Sequence, residues 1–434
     1  MSQDIRRLAV IGGVAAGMSA ASQAKRRKPD LEVVVFEKSP HVSYGACGMP
    51  YNIEDPGRDV EDLVVITAER FRKERGIDVR TGQEVTEIDL VNKRLRIQRS
   101  LGEGELEFDR LVLATGCKAV TPAWTGLDLP GVFVLHTLEH AGAIKRYLND
   151  RSLKRAVVVG GGHIGLEMAD VLVSRGLGVT LLKRGPDLPS GYPDVISQLV
   201  TAELQRFGVE LVVGAEILGF EGEGRVQAVN TSAGRLDADL VIVATGVKPE
   251  VDLARRAGIA IGASGAIAVD AHLATSAPGV FAAGDCAEAH HRLLGRGVFM
   301  PRGTTANKQG KIAGANVLGA GESFPGVLGT SVTKIFSLAV GHTGLMEQEA
   351  TAAGHQVAAS HIQARTRAHA YPGAKDITVR LVYENQGGKL LGAQLAGGEG
   401  VAKRLDVLVA AITAGFTLED LSGLDLSYAP HLAQ

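Results

Sequence analysis

The chain has few cysteines, few aromatic residues and almost no net charge. Three cysteines among 434 residues, Cys47, Cys117 and Cys286, are too few and too scattered for a disulfide framework or a zinc site. The formal net charge is −2, and aromatic residues make up 4 % of the chain. A general nucleic-acid or membrane-surface binder carries a clear excess of positive charge, so neither class is expected.

Targeting segments and metal-binding patterns are missing as well. No run of about 18 uncharged apolar residues occurs, so no membrane span is expected. Residues 1–7 lack the charged region, apolar region and cleavage site of a signal peptide. The acidic residues form no metal-binding constellation, so no metal is expected. The simplest interpretation is a cytoplasmic protein.

Glycine, in contrast, is abundant, and two glycine motifs organise the chain. There are 55 glycines, and the first motif is Gly-Gly-Val-Ala-Ala-Gly at residues 12–17. It follows a short apolar strand at residues 7–11 and precedes a helical stretch at residues 18–27. A second buried strand at residues 31–36 ends at Glu37. This order is the Rossmann dinucleotide fingerprint, with Glu37 available to ribose hydroxyls and Val14 replacing the middle glycine.

The same pattern recurs roughly 150 residues later, which indicates a domain-scale duplication. A strand at residues 155–159 leads into Gly-Gly-Gly-His-Ile-Gly at residues 160–165, which satisfies G-x-G-x-x-G in full. A helix at residues 167–175 and a strand at residues 179–182 follow. Two fingerprints predict two bound dinucleotides, and 434 residues are enough for two or three domains.

The second fingerprint ends on cations instead of an acid. Lys183 and Arg184 follow the strand, and cations attract the 2′-phosphate of NADPH that an acid would repel. The pattern therefore favours NADPH over NADH, although both side chains could simply point to solvent.

Three further strands end in glycine turns. They close at Ala114-Thr115-Gly116, at Ala244-Thr245-Gly246 and at Gly284-Asp285. Open α/β sheets bind ligands at the carboxyl ends of their strands, so Asp285 is expected near a ligand. Cys117 and Cys286 each follow such a turn, and we interpret both as structural.

This ordered set of motifs resembles the pyridine nucleotide–disulfide oxidoreductases. The resemblance implies an α/β fold with two Rossmann-like dinucleotide-binding domains and a C-terminal α+β dimerisation domain. It implies FAD on residues 1–117 and 246–325, NAD(P)H on residues 150–245, and a homodimer formed through residues 328–434. The cofactor-binding residues that it implies are Gly12, Gly13, Ala15, Ala16, Gly17, Glu37, Lys38, Thr115, Gly116, Gly160, Gly162, Ile164, Gly165, Glu167, Lys183, Gly246, Gly284 and Asp285.

Within this family, residues 22–26, 43–51, 306–311, 371–373 and 428–430 resemble the single-cysteine coenzyme A disulfide reductases. Their relatives include coenzyme A persulfide reductases and NAD(P)H oxidases. Cys47 stands where flavin disulfide reductases carry their first redox cysteine, and Asn52 stands where many carry the second. The hypothesis is that electrons pass from NAD(P)H through the flavin to a mixed disulfide between Cys47 and coenzyme A. Coenzyme A is therefore a candidate ligand in addition to FAD and NAD(P)H.

The resemblance also assigns residues to the substrate. The coenzyme A candidates are Gln23, Arg26, Ser43, Asn307 and Lys311, and a basic stretch at residues 70–75 is a weaker one. Ala46 departs from the asparagine that these reductases often have, which puts the substrate's identity in doubt. Tyr371 and Tyr428 are expected to reach the partner subunit's active site and to act on the leaving thiolate. His431 follows, either as an acid/base group or as a surface residue.

Two other functions stay open. An NAD(P)H oxidase would cycle Cys47 through sulfenic acid, with oxygen or peroxide as acceptor. A non-enzymatic flavoprotein would use Cys47 as a redox sensor that controls partner binding.

Overall fold

Three five-stranded sheets carry much of the regular structure in the computed structural model, which describes residues 5–100, 102–149, 152–185, 188–189, 191–368 and 371–429. The strands are β1 (Arg7–Ile11), β2 (Glu32–Glu37), β3 (Asp78–Thr81), β4 (Glu84–Asp89), β5 (Arg94–Arg99), β6 (Gly102–Glu107), β7 (Arg110–Leu113), β8 (Cys117–Ala119), β9 (Val132–Val134), β10 (Arg155–Val159), β11 (Gly178–Lys183), β12 (Glu210–Val213), β13 (Ile217–Glu221), β14 (Ala228–Thr231), β15 (Gly234–Asp237), β16 (Leu240–Val243), β17 (Val247–Pro249), β18 (Val280–Ala282), β19 (Ala289–His291), β20 (Arg296–Val298), β21 (Ser331–Ile335), β22 (Leu338–Gly344), β23 (Val357–Arg365), β24 (Asp376–Glu384) and β25 (Leu390–Gly397).

The helices are α1 (Ala15–Arg27), α2 (Met49–Glu54), α3 (Ala68–Arg75), α4 (Leu138–Asn149), α5 (His163–Ser174), α6 (Asp194–Arg206), α7 (Asp252–Arg256), α8 (Gly303–Asn316), α9 (Glu347–Ala352), α10 (Val401–Ala414) and α11 (Leu418–Ser422). Two short 3₁₀ helices span Ala46–Gly48 and Val60–Leu63. Among the residues described, no helix is both long enough and apolar enough to span a membrane.

The first compact unit is built on a parallel sheet with the strand order β18-β7-β1-β2-β3. It contains residues through Val120, His136–Ala143 and Val247–Val327. Successive side chains of β1 enter different cores, because side chains alternate across a strand. Leu8 packs in the core that includes α1 residues, and Ala9 packs in the core that includes residues of β4–β6. A strand buried on both faces reads as a continuous apolar run, which is why β1 is recognisable in the sequence.

Helix α1 packs closely against α8 because small residues face each other. A Cβ on Gly310 would lie 2.3 Å from the carbonyl oxygen of Ala16, and one on Gly314 would lie 2.2 Å from that of Ala20. Only glycine allows this approach of the two backbones. The helix begins at Ala15 and not at the predicted residue 18, because the last glycine of the motif belongs to its first turn.

The second compact unit contains Thr121–Leu135, Ile144–Gly246 and the chain from Leu328 onward. Its parallel sheet has the order β12-β11-β10-β16-β9, and its antiparallel sheet has the order β21-β22-β25-β24-β23. The backbone N–H of Phe336, directly after β21, donates to the carboxylate of Asp170 in α5 over 2.8 Å. This hydrogen bond connects the antiparallel sheet to a helix that packs on the parallel sheet. The predicted fold class is thus confirmed, whereas the three predicted domain boundaries stay a prediction.

Candidate active site

The first glycine loop leaves no room for side chains at two of its positions. A Cβ on Gly12 would lie 2.0 Å from the carbonyl oxygen of Ala114, and one on Gly17 would lie 1.8 Å from that of Gly12. Gly12 also has a φ of +104°, which disfavours other residues. The N–H of Gly12 donates to the carbonyl of Phe36, which draws the loop onto β2. The loop therefore lies tightly against the sheet and opens at the start of α1, as a pyrophosphate site requires.

Glu37 closes β2 and holds the same loop. Its Oε2 accepts a 2.8 Å hydrogen bond from the N–H of Gly13, and its Oε1 accepts one of 2.9 Å from Ser39. A carboxylate offers about four lone-pair sites, so it can still accept bonds from a ribose. The following residue, Lys38, is exposed, whereas Ala15 and Ala16 lie in the first turn of α1.

Asp285 carries an acceptor atom that the protein does not satisfy. Its Oδ1 is buried and has no hydrogen-bond partner among the residues described, while Cys117 Sγ lies 3.5 Å from its Oδ2. Burial raises the pKa of the Asp285 carboxyl group, which hydrogen bonds from Cys117 and Arg302 partly oppose. A buried acceptor beside the strand ends fits a sugar-chain hydroxyl, as FAD would supply. The acceptor oxygens of Glu37 and Asp285 thus fit FAD, the group that the sequence predicted.

The other strand-end residues lie beside Asp285. Thr115 donates its hydroxyl hydrogen to the carbonyl of Glu250 over 2.6 Å. Gly116 has a φ of +72°, and Gly284 has a φ of +83° with a Cβ position 2.7 Å from Ala16. Gly284 therefore has to be glycine to let the β18 turn approach α1.

Cys117 and Cys286 are both shielded thiols. Cys286 is buried, and its Sγ lies 3.5 Å from the carbonyls of Leu113 and Ala283. Burial raises the pKa of both thiols, and the nearby Asp285 charge adds to the effect at Cys117. A thiol with a raised pKa is a poor nucleophile, which fits the structural interpretation of both residues.

The second glycine loop repeats the first in detail. A Cβ on Gly160 would lie 2.3 Å from the carbonyl oxygen of Ala244, and one on Gly165 would lie 1.9 Å from that of Gly160. Gly162 differs, because it has an ordinary φ of −83° and its Cβ would meet nothing within 4 Å. The protein's own packing does not require glycine there. That explains how the first loop accommodates Val14, whose φ is −98°.

Lys183 is the second loop's counterpart of Glu37. Gly160 donates to the carbonyl of Leu182 just as Gly12 donates to that of Phe36, so the next residues correspond. The Lys183 side chain is buried, and its Cδ lies 3.0 Å from where a Cβ of Gly161 would be. The alternative that Lys183 simply points to solvent is therefore wrong, whereas Arg184 is exposed.

Three further residues that were predicted for the second dinucleotide site lie in the same unit as this loop. Ile164 is half-buried in the first turn of α5, and Gly246 has a φ of +107° with no atom near its Cβ position. Glu167 accepts a 2.9 Å hydrogen bond from the hydroxyl of Thr333. Glu167 therefore also fastens α5 to β21.

Cys47 is the exposed thiol of the chain's described part, at the centre of the Ala46–Gly48 turn. Helix α2 begins directly after this turn. A Cβ on Gly48 would lie 2.7 Å from Cδ2 of Leu63, so the turn packs closely against the second 3₁₀ helix. Asn52, at the second-cysteine position, is buried, and its Nδ2 donates to the carbonyl of Asp59 over 2.7 Å. Asn52, which stands where a second thiol would be, is thus a buried residue with a structural hydrogen bond.

A basic cavity of about 420 Å³ lies beside α1. The side chains that line it are Ser22, Lys25, Arg26, Pro29, Arg75 and Ile77. Arg26 donates to Gln23 over 2.7 Å, which brings two of the predicted substrate residues together. Ser22 and Lys25 line the cavity but were not among the predicted substrate residues, because their place there depends on which face of α1 meets the end of α3.

The basic stretch of α3 does not act as a unit. Arg70 pairs with Glu74 over 2.9 Å, and Lys73 pairs with Glu69 over 2.6 Å. Both pairs are exposed i,i+4 pairs of the kind that decorate solvated helix faces. Arg75 instead reaches the hydroxyl of Ser22 over 3.3 Å and so joins the basic cavity.

The remaining substrate candidates lie in the same compact unit as the cavity. Asn307 and Lys311 are exposed one turn apart on α8, and Asn307 donates to the hydroxyl of Ser19 over 3.0 Å. Ser43 precedes the Cys47 turn, has a φ of +50°, and donates its N–H to the carbonyl of Gly13.

Tyr371 and Tyr428 belong to the second unit, and both are exposed, at 41 % and 66 %. His431 lies outside the described residues. No group of metal-ligating side chains occurs among the residues that were searched, namely those described above.

Comparisons with known proteins identify the family. Residues 6–310 match the family model described as pyridine nucleotide-disulphide oxidoreductase, and residues 330–434 match its dimerisation domain. The NAD(P)H sulfur oxidoreductase (CoA-dependent) of Pyrococcus abyssi is 42 % identical over 98 % of this chain and 94 % of its own length. An NADH oxidase of Methanocaldococcus jannaschii is 36 % identical over 98 % of this chain and 95 % of its own. The solved NAD-dependent persulfide reductase from A. fulgidus superposes with a TM-score of 0.94 at 36 % identity, over 98 % of this chain and 80 % of that one.

Proposed function

Because the chain belongs to the pyridine nucleotide-disulphide oxidoreductase family and is an FAD- and NAD(P)H-dependent oxidoreductase, we propose that it reduces a coenzyme A disulfide or coenzyme A persulfide through Cys47. The observation that carries the proposal is an exposed thiol, Cys47, in the same compact unit as a basic cavity suited to phosphates. The name of the Pyrococcus relative, which is CoA-dependent, supports the same substrate class.

The substrate's phosphates would bind the basic cavity. Coenzyme A carries a 3′-phospho-ADP group, and guanidinium groups bind phosphate oxygens in pairs. Arg26 and Arg75 line the cavity together with Lys25. Asn307 and Lys311 would bind the arm that leads from the phosphates toward Cys47. The sulfur end would then reach the Ala46–Gly48 turn.

Cys47 would perform the sulfur exchange. Its thiolate attacks one sulfur of the substrate, a new S–S bond to Cys47 forms, and the second sulfur leaves as a thiol that takes up a proton. FAD, when bound, supplies the two electrons that it receives from NAD(P)H and that break the new S–S bond. Tyr371 and Tyr428 of the partner subunit would donate the proton to the leaving thiolate, which makes the site shared within a homodimer.

The cofactors would be held by the two glycine loops. Glu37 and Asp285 would accept hydrogen bonds from the ribose and sugar-chain hydroxyls of FAD. Lys183 would contact the 2′-phosphate of NADPH, which makes NADPH the preferred donor. The cytoplasm, expected from the sequence, stays the proposed location.

An NAD(P)H oxidase is the second candidate. The Methanocaldococcus relative named NADH oxidase is 36 % identical along nearly the whole chain. An exposed Cys47 thiolate could be oxidised by peroxide to a sulfenic acid, with water as the other product. Electrons from NAD(P)H, passed on through FAD, would then reduce the sulfenic acid back to the thiol.

The deciding experiment is steady-state NAD(P)H oxidation by the FAD-loaded enzyme with coenzyme A disulfide, coenzyme A persulfide and oxygen, measured side by side. We expect turnover with a coenzyme A substrate to exceed oxygen consumption. Cys47→Ser should abolish turnover with the coenzyme A substrate, while NAD(P)H should still reduce the flavin. Cys286→Ser serves as the control, because it changes a buried thiol. Oxygen consumption that outpaces every coenzyme A substrate would favour the oxidase instead.

A further inference from the structure

His41 lies between two carboxylates in the unit that contains Cys47. Its Nδ1 is 2.7 Å from Oε1 of Glu139, and its Nε2 is 2.7 Å from Oε1 of Glu61. A neutral imidazole carries a single N–H, so only the doubly protonated ring donates to both carboxylates. The contacts therefore favour a charged His41 with two charge-assisted hydrogen bonds. We call these three residues the His41 clamp.

The segment that follows His41 delivers Cys47 and is joined to a neighbouring segment by backbone hydrogen bonds. The N–H of Gly45 donates to the carbonyl of Leu63 over 2.8 Å, and the N–H of Val65 donates to the carbonyl of Ser43 over 2.8 Å. These bonds form a short ladder directly before the Cys47 turn. The position of the thiol therefore depends on how firmly this ladder is held.

The clamp joins the two segments of the ladder. Tyr44 and Val64 pair antiparallel, so His41 precedes the end of the ladder away from Cys47, whereas Glu61 precedes the end near Cys47. The contact of His41 with Glu61 therefore ties the two segments to each other across the ladder. Glu139 lies in the first turn of α4 and gives the segment a second attachment.

Electrostatics agree with the geometry. Burial lowers the pKa of His41, but the hydrogen bonds and charges of Glu139 and Glu61 outweigh it and raise the pKa above the ordinary value. Of the other titratable groups beside the clamp, burial raises the pKa of Tyr44 and lowers the pKa of His140. Glu37 and Cys117 lie close enough to Tyr44, and His136 close enough to His140, to interact with them electrostatically. Burial thus disfavours the charged forms of Tyr44 and His140, whereas the two carboxylates favour the charged form of His41.

We propose that His41 is a positioning residue for Cys47, whose two hydrogen bonds fix the turn that presents the thiol and whose loss of a ring proton releases that turn. This inference rests on the proposed function, in which Cys47 is the reactive thiol. Because the pKa of His41 is raised, both hydrogen bonds are present below that pKa. One is lost as the pH rises through it, so attack by Cys47 slows toward alkaline pH.

The test compares pH profiles of FAD-loaded variants between about pH 6 and pH 9. The measured quantities are kcat/KM for coenzyme A disulfide and the rate of flavin reduction by NAD(P)H. The original enzyme should lose kcat/KM at the alkaline end. His41→Gln should lack this falling limb and show kcat/KM about 10-fold lower at neutral pH, since small misplacement of a reacting group costs that much. Flavin reduction should be unchanged.

Two further variants make the test specific. Glu61→Gln should move the falling limb to lower pH, because it removes one carboxylate that favours the charged ring; Glu61 is exposed, so the variant is expected to fold. His355→Gln is the matched control, since His355 pairs with Glu384 over 3.1 Å in the other unit. It should leave the profile unchanged.

The possible failures are distinguishable. If His41→Gln and Glu61→Gln both keep the original profile, the positioning role is wrong while the proposed function stands. If Cys47→Ser retains disulfide turnover, the proposed function itself fails.

Discussion

A carboxylate oxygen of Glu37 accepts a 2.8 Å hydrogen bond from the backbone N–H of Gly13, and Lys183 occupies the corresponding position in the second half of the chain. The two glycine loops otherwise match closely, down to the carbonyl that each first glycine contacts. One duplicated unit thus ends in an acceptor of hydrogen bonds and the other in a cation. This difference suits a ribose hydroxyl in the first site and a 2′-phosphate in the second.

The first prediction concerns Lys183→Glu. The substitution replaces the cation with a carboxylate, which would repel a 2′-phosphate and accept bonds from a 2′-hydroxyl. We expect the ratio of kcat/KM for NADPH to that for NADH to fall about 10- to 100-fold, the worth of one charged hydrogen bond. Steady-state kinetics with both nucleotides measures the ratio.

Lys154→Glu is the control for this prediction. It makes the same charge change on an exposed lysine just before β10, at the strand end away from the glycine loop. A ratio that Lys183→Glu leaves unchanged, or that both variants alter equally, would remove the basis for NADPH preference.

The second prediction separates two glycines of one loop. A Cβ on Gly165 would lie 1.9 Å from the carbonyl oxygen of Gly160, whereas one on Gly162 would meet nothing. Gly165→Ala should therefore lower the free energy of unfolding by roughly 1–3 kcal/mol, the usual cost of overpacking. Gly162→Ala should leave it within about 0.5 kcal/mol of the original, because its backbone suits any residue.

Nucleotide binding should respond differently. Gly162→Ala adds a methyl group where the pyrophosphate is expected to approach the backbone, so NAD(P)H should bind about tenfold more weakly without loss of stability. Thermal unfolding without nucleotide, together with NAD(P)H titration, measures both effects. If Gly162→Ala binds NAD(P)H normally, the pyrophosphate does not approach this glycine.

Much of the fold could be predicted from the sequence because buried parallel strands are short apolar runs bounded by glycine. Strand β10 begins and ends where the sequence predicted, at Arg155–Val159. The helices after the glycine loops begin earlier than predicted, α1 at Ala15 and α5 at His163. In both, the last motif glycine packs inside the first turn, a close approach that the linear pattern does not reveal.

The candidate site could be predicted only where a local motif carries it. The glycines, Glu37 and Asp285 each stand at a fixed place in a strand-and-turn pattern. Ser22 and Lys25 join the basic cavity because α1 meets the end of α3, roughly fifty residues away, and pairing at that separation has no local signature. The contact of His41 with Glu139 spans 98 positions and is hidden for the same reason.

The last prediction tests the basic cavity with two arginines of one helix. Arg75 lines the cavity and contacts Ser22, whereas Arg70 pairs with Glu74 on the exposed face of α3. Arg75→Glu should raise KM for coenzyme A disulfide about tenfold or more, since it replaces a charge-assisted bond to phosphate with repulsion. Arg70→Glu should change KM less than twofold, because exposed charges far from a ligand are screened. A truncated disulfide without the nucleotide phosphates should react equally with both variants and with the original enzyme. Equal effects of the two substitutions on coenzyme A disulfide would mean that general surface charge, and not the cavity, attracts the substrate.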